Sequence, residues 1–147
     1  MTHDVAAQEP PLVVFDGECL FCNAGMRYVA ERDPDARFRF ATLQSPLGRA
    51  LAERAGVAAE GGQATMLLLE GGELYTRSEA VLRVGRVLGR ARFERGVFRG
   101  LCALALWTHP WLRDSVYGLV ARNRLRLGST TQACWLPTDE IRRRIVT

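Results

Sequence analysis

Four consecutive apolar residues, Leu12–Val13–Val14–Phe15, run into Asp16–Gly17, and a helical pattern carrying two cysteines three apart, Cys19 and Cys22, begins at once. An apolar run this short with a turn signal behind it reads as a buried strand. The helical pattern continues from Cys19 to Arg32, where Asp33–Pro34 stops it. A strand passing directly into a helix through so tight a turn sets the start of an α/β fold, and everything downstream has to agree with it.

It does agree. Arg37–Phe38–Arg39–Phe40–Ala41 alternates polar and apolar residues and predicts a second strand. Ser45–Pro46 gives a helix start, with Ser as N-cap and Pro in the first helical position. Leu47, Ala50, Leu51 and Ala55 form one face of that helix, and Gly56 ends it. Thr65 to Leu69 predicts a third strand, Glu70–Gly71–Gly72–Glu73 a tight hairpin, and Leu74–Tyr75–Thr76 the returning fourth strand. Thr76 or Ser78 then caps a helix whose apolar face is Val81, Leu82, Val84 and Leu88. The first two strands, joined through a helix, are expected to be parallel and the hairpin antiparallel. Strand, helix, strand, helix, hairpin, helix is the order of the thioredoxin-like fold, here over residues 11–90 of a single domain spanning 1–147. Residues 95–145 read as a helical C-terminal extension: a buried helix from Gly96 to Trp107, another from His109–Pro110 to about Asn123, and a short one near Thr138–Asp139. These are expected to cover one side or one edge of the sheet.

Composition narrows the function classes. At 48% hydrophobic and 24% charged residues the chain has the make-up of a globular protein. No run approaches the ~18 apolar residues that cross a bilayer, and Met1 to Pro10 shows no secretory pattern, so the expected location is the cytoplasm. The net charge is +4 and all 20 basic residues are Arg. They are scattered among Asp and Glu. The tightest cluster, Arg142–Arg143–Arg144, reads as solvated surface, so no nucleic-acid partner is expected.

Four cysteines are present. Cys102 sits in an apolar helical pattern and reads as a small core residue; Cys134, beside Trp135, reads mainly as packing, with a third redox thiol as the alternative. Cys19 and Cys22 have a chemical logic of their own. Two cysteines three apart on a helical turn can close a disulfide. The first sits where unpaired N–H groups and the helix dipole favour a thiolate. The second is placed to attack a mixed disulfide and release the substrate. Cys19 is therefore the expected nucleophile and Cys22 the resolving thiol. Asp16 and Glu18 bring negative charge close to Cys19, which opposes the thiolate and leaves the direction of electron flow open. Asp16 is either a proton acceptor for Cys22 or a turn carboxylate. No bound cofactor is required. Partners on this reading are a protein or small-molecule disulfide and a cellular thiol-reducing system.

Two other function classes use the same residues. A metal-binding module would hold copper(I) or zinc on the two thiolates, but zinc needs two more ligands, and Cys134, His109 and His3 form no second pair. His109, just before Pro110, reads instead as a helix-entry residue. A non-catalytic interaction domain would dock through the apolar helices from Gly96 onward and would show an exposed apolar patch there.

Taken together, these residues resemble the DCC family of predicted thiol-disulfide oxidoreductases, named for an Asp-x-x-Cys-x-x-Cys motif. Here the motif is Asp16–Gly17–Glu18–Cys19–Leu20–Phe21–Cys22, followed by Asn23. The likeness continues through Arg37 to Ser45, Leu74 to Ala80, Leu112 to Tyr117 and Arg122–Asn123–Arg124, and ends at Cys134-x-x-Pro137. The resemblance implies a thioredoxin-like fold, carries over Asp16, Cys19 and Cys22 as motif residues, and raises Cys134 and Arg122 as secondary site candidates. One departure stands out. Thioredoxins carry a cis-proline before the third strand, facing the cysteines; Gln63–Ala64–Thr65 stands there instead, which argues against the usual grip on extended peptides.

Overall fold

The structure, a computed structural model, describes residues 9–60, 65–88, 93–127 and 138–146. Among these residues four short strands make one mixed sheet: β1 (Leu12–Phe15), β2 (Arg39–Thr42), β3 (Leu67–Glu70) and β4 (Glu73–Thr76). Their order is β2-β1-β3-β4. β1 runs parallel to β2, with Leu12 opposite Arg39 and Phe15 opposite Thr42, and antiparallel to β3, with Leu12 opposite Leu69. Among the described residues six helices accompany them: α1 (Leu20–Glu31), α2 (Pro46–Ala55), α3 (Arg77–Leu88), α4 (Phe93–Leu106), α5 (Pro110–Leu127) and α6 (Asp139–Arg143). The mixed α/β arrangement is compatible with a thioredoxin-like fold. No helix among the described residues is long and apolar enough to cross a membrane.

The central strand explains its own composition. Val13 and Phe15 point into a core shared with Met26 and Val29 of α1 and Ala80 and Val84 of α3. Leu12 and Val14 point into a second core with Leu51 and Ala52 of α2. A strand buried on both faces has no polar alternation to show. The sheet is thus sandwiched, α1 and α3 on one face and α2 on the other.

The caps follow the sequence closely. Ser45 Oγ accepts the Gly48 N–H at 3.0 Å, Pro46 opens α2, and Gly56 closes it in the left-handed region at φ 67°. Gly71 and Gly72 both take positive φ (59° and 84°), which a two-residue hairpin needs to match strand twist. Thr138 caps α6.

Other expectations are corrected. Ala50 is exposed, and Gly48 with Ala52 takes its place beside Leu51 on the buried face of α2. Gly48 lies so close to the sheet that a Cβ there would stand 2.0 Å from the Thr42 carbonyl oxygen. The inner face of α3 is Ser78, Ala80, Val84 and Gly85, while Val81 is exposed. The helix at Gly96–Trp107 is not a buried one: Leu101 and Leu104 of α4 face outward and Cys102 inward. α4 packs on α3, and α5 bridges α3 and α1 on the same side of the sheet, continuing four residues past Asn123.

Arg144 is not part of a solvated cluster. Arg142 and Arg143 are exposed, but Arg144 is only 8% exposed and is ion-paired through Nη2 to the Asp33 carboxylate. Its Nε donates to the Phe38 carbonyl at 3.0 Å and Nη1 to the Asp33 carbonyl at 3.4 Å. Asp33, 4% exposed, also accepts the N–H groups of Arg37 (3.0 Å) and Phe38 (2.9 Å). The carboxylate that ends α1 is therefore neutralised by a residue 111 positions away. Ile145 then bridges Phe40 on the outer side of β2.

Candidate functional site

The end of β1, the turn after it and the first turn of α1 place three of the sequence-predicted residues together. Cys19 is the N-cap of α1, with an extended backbone (φ −90°, ψ 114°), and its Sγ accepts the Cys22 N–H at 3.3 Å. A sulfur occupies the place usually taken by a Ser, Thr or Asp oxygen. Neither sulfur is in a disulfide. Cys19 is the more deeply set, 5% exposed, whereas Cys22 is half-buried and its side chain joins the core on the α1 side.

Asp16 is buried, and its Oδ1 accepts the Glu18 N–H at 3.1 Å, while its carbonyl accepts the Cys19 N–H at 3.3 Å. Its carboxylate thus braces the turn, and Asp16 also lines the cavity that Cys22 lines. Two residues that the sequence did not mark as site candidates hold this turn. Gln44 donates from Nε2 to Asp16 Oδ1 at 2.9 Å and accepts the Gly17 N–H on Oε1 at 3.0 Å. Asn23 Nδ2 donates to the Gly17 carbonyl at 2.9 Å. A Cβ on Gly17 would stand 2.9 Å from Thr42 Cγ2, so the close approach of turn and strand needs glycine. The signal for Gln44 was present: with β1 and β2 parallel and ending together, the residues just after β2 must flank the turn after β1.

Beside Cys22 opens a cavity of about 310 Å³. Phe15 and Val13 of β1, Phe21, Met26 and Val29 of α1, Val84 and Leu88 of α3, and Tyr117 of α5 contribute to its walls. Tyr117 was not anticipated as a site residue. Its hydroxyl lies 2.7 Å from Thr65 Oγ1 and accepts the Met66 N–H at 3.2 Å. The Met66 carbonyl accepts the Arg77 N–H at 3.2 Å. Ser78 Oγ donates to Asp114 Oδ1, and Arg113 pairs with Glu79 at 3.5 Å. The segments Leu74–Ala80 and Leu112–Tyr117 are therefore partners that dock α5 over the cavity.

Arg122 is exposed on α5 and lies outside the cavity lining. Cys134, and Gln63–Ala64 before β3, lie outside the described residues. His109 Nδ1 accepts the Trp111 N–H at 3.3 Å, as a helix-entry residue does. Burial pushes the Cys102 thiol up, leaving it protonated at neutral pH. Among the described residues no three His, Cys, Asp or Glu side chains converge as a metal cage would require.

Comparison with known proteins places the chain in a family. Residues 13–130 match the family described as DCC1-like thiol-disulfide oxidoreductase. The Bacillus subtilis (strain 168) protein YuxK, itself named as uncharacterized, is 32% identical over 135 residues, covering 92% of this chain and 93% of its own length. A DCC family protein of Arabidopsis thaliana, named as chloroplastic, is 31% identical over 126 residues, 86% of this chain and 69% of its own. No solved structure matches.

Proposed function

The chain belongs to the DCC1-like thiol-disulfide oxidoreductase family, and on that premise we propose that Cys19 and Cys22 are its working dithiol. The observation that carries the reading is the Cys19 sulfur in the N-cap position of α1, accepting the Cys22 N–H. There the sulfur is among the unpaired N–H groups and the positive end of the helix dipole. Cys19 attacks a substrate disulfide R–S–S–R; a Cys19–S–S–R bond forms, the substrate S–S bond breaks, and RS⁻ leaves to take up a proton. Cys22, one turn along, gives up its proton, with the Asp16 carboxylate as acceptor, and attacks the Cys19 sulfur. The protein disulfide forms and the second RS⁻ leaves. Two electrons pass from the protein dithiol to the substrate, and a thiol reductant of the cell restores the pair.

Trapping tests the assignment. Cys22→Ser is expected to accumulate a mixed disulfide on Cys19, visible by intact mass, whereas Cys19→Ser accumulates none. Trapping on Cys22 in Cys19→Ser, with none in the reverse variant, would reverse the roles. Exchange that survives loss of both thiols would remove the reading altogether.

One observation favours a second, compatible role. Trp107 and Trp111, at the corner between α4 and α5, are 91% and 72% exposed, with Leu104 and Val116 also outward. Patches of this kind mark contact surfaces. A partner held there would still be captured by a variant lacking both Cys19 and Cys22, and lost on Trp107→Ser with Trp111→Ser.

A further inference from the structure

The cavity beside Cys22 has properties that the exchange chemistry alone does not demand. Its volume lies at the lower end of the ~300–1,000 Å³ of small-molecule sites. Its walls are apolar, and the Val81 side chain, on the lining, is left exposed rather than packed into the core. Asp16 is the one formally charged residue on the lining among the described residues. Among the polar groups of the lining residues, the Tyr117 hydroxyl is engaged by Thr65 and Met66, and the Met66 carbonyl by Arg77.

Those internal bonds decide what kind of molecule fits. An extended peptide is gripped by adding its backbone N–H and C=O groups to a free strand edge. At Met66, entering β3, both backbone groups are taken, one of them by a side chain from α5. A charged thiol peptide such as glutathione would bring carboxylates to a cavity whose lining, among the described residues, offers no cation and one carboxylate. Burial of apolar surface is what remains. We propose that the cavity is the subsite for an uncharged, apolar substituent of a low-molecular-weight disulfide, and that the protein selects substrates by that substituent. The proposal rests on the Cys19–Cys22 reading. In the mixed disulfide on Cys19 the retained substituent lies in the cavity against Cys22, next to the bond that Cys22 must break. The other half leaves as the thiol, and electrons balance as in the exchange above.

Gly25 supplies the test. It lines the cavity from α1, and a Cβ added there meets nothing within 4 Å. Gly25→Leu therefore narrows the cavity while improving helix propensity, so the fold is kept. Reduced protein is mixed with 4,4′-dithiodipyridine, which is neutral and aromatic, and with bis(2-hydroxyethyl) disulfide, which is neutral and polar. Each rate is divided by that of dithiothreitol with the same disulfide, which removes intrinsic reactivity. The wild-type normalised rate is expected to be about tenfold higher for the aromatic disulfide, the preference that burying one ring supports. Gly25→Leu is expected to abolish that preference, bringing the ratio of the two normalised rates to about one.

Equal normalised rates in the wild type would overturn the subsite while leaving the dithiol reading intact. So would an aromatic preference that survives Gly25→Leu. Faster normalised reduction of oxidised glutathione, or of a disulfide-bonded peptide, than of the aromatic probe would likewise overturn it. Failure to reduce any of these disulfides would remove the dithiol reading and the subsite with it.

Discussion

Replacing Arg144 with Ala should be among the most damaging single changes outside the cysteine site. The substitution removes an ion pair to Asp33 and two hydrogen bonds to backbone carbonyls, and strands a carboxylate that is 4% exposed. Breaking one side of a buried pair costs about 3–5 kcal/mol, because the remaining charge has lost its compensation. Asp33 keeps the N–H groups of Arg37 and Phe38, which places the expectation at the lower end, about 3 kcal/mol. For a chain this long each kcal/mol moves the melting temperature by roughly 2–4 °C, so the expected loss is about 6–12 °C. Urea unfolding of wild type, Arg144→Ala and Arg143→Ala, at matched pH and salt, measures it directly. Arg143→Ala, at an exposed neighbour, should stay within about 0.5 kcal/mol. The paired change Asp33→Asn with Arg144→Met should cost less than the sum of its parts. Equal midpoints for Arg144→Ala and Arg143→Ala would refute the reasoning, since they would mean that Arg144 is solvated like its neighbours.

Two glycines should respond in opposite directions. Gly25→Ala is expected to stabilise by about 0.5–1 kcal/mol through helix propensity, and Gly48→Ala to destabilise by about 1–3 kcal/mol or more because its Cβ would meet the Thr42 carbonyl; thermal melts of the pair show the contrast. Tyr117→Phe leaves the Met66 N–H and the Thr65 hydroxyl without their partner and should cost about 1–3 kcal/mol in urea unfolding. Cys102, its thiol pushed up by burial, should resist iodoacetamide at neutral pH under conditions that alkylate Cys22, as peptide mass mapping would show.

Local chemistry made much of the fold legible. Ser45–Pro46, Gly56, the Gly71–Gly72 hairpin and the run Leu12–Phe15 each impose a conformation within a few residues, so spacing alone finds the elements. The placing of Asp16, Cys19 and Cys22 side by side was legible for the same reason, since one turn and one helix start carry all three. Tertiary placement was not. Ala50 and Gly48 differ by half a turn of α2, and only the approach of the helix to Thr42 decides which faces inward. Arg144 looked solvated because its partner lies 111 residues away. The cavity has walls from β1, α1, α3 and α5, so no window of sequence contains it. The outward leucines of α4 misled because apolar content marks a helix as buried only when something is there to cover it.

The bridge between Phe40 and Ile145 has a consequence for how this chain behaves in company. The Phe40 N–H donates to the Arg144 carbonyl at 2.9 Å, and the Phe40 carbonyl accepts the Val146 N–H at 2.7 Å. The outward-facing backbone of β2 is thereby occupied at its centre, and β1 and β3 are interior. A strand from another molecule is left with β4, four residues long and opening on a charged Glu73, and short charged edges are poor templates for cross-chain pairing. Sheet-to-sheet aggregation is thus discouraged at both borders by different means, a covering segment at one and brevity with charge at the other.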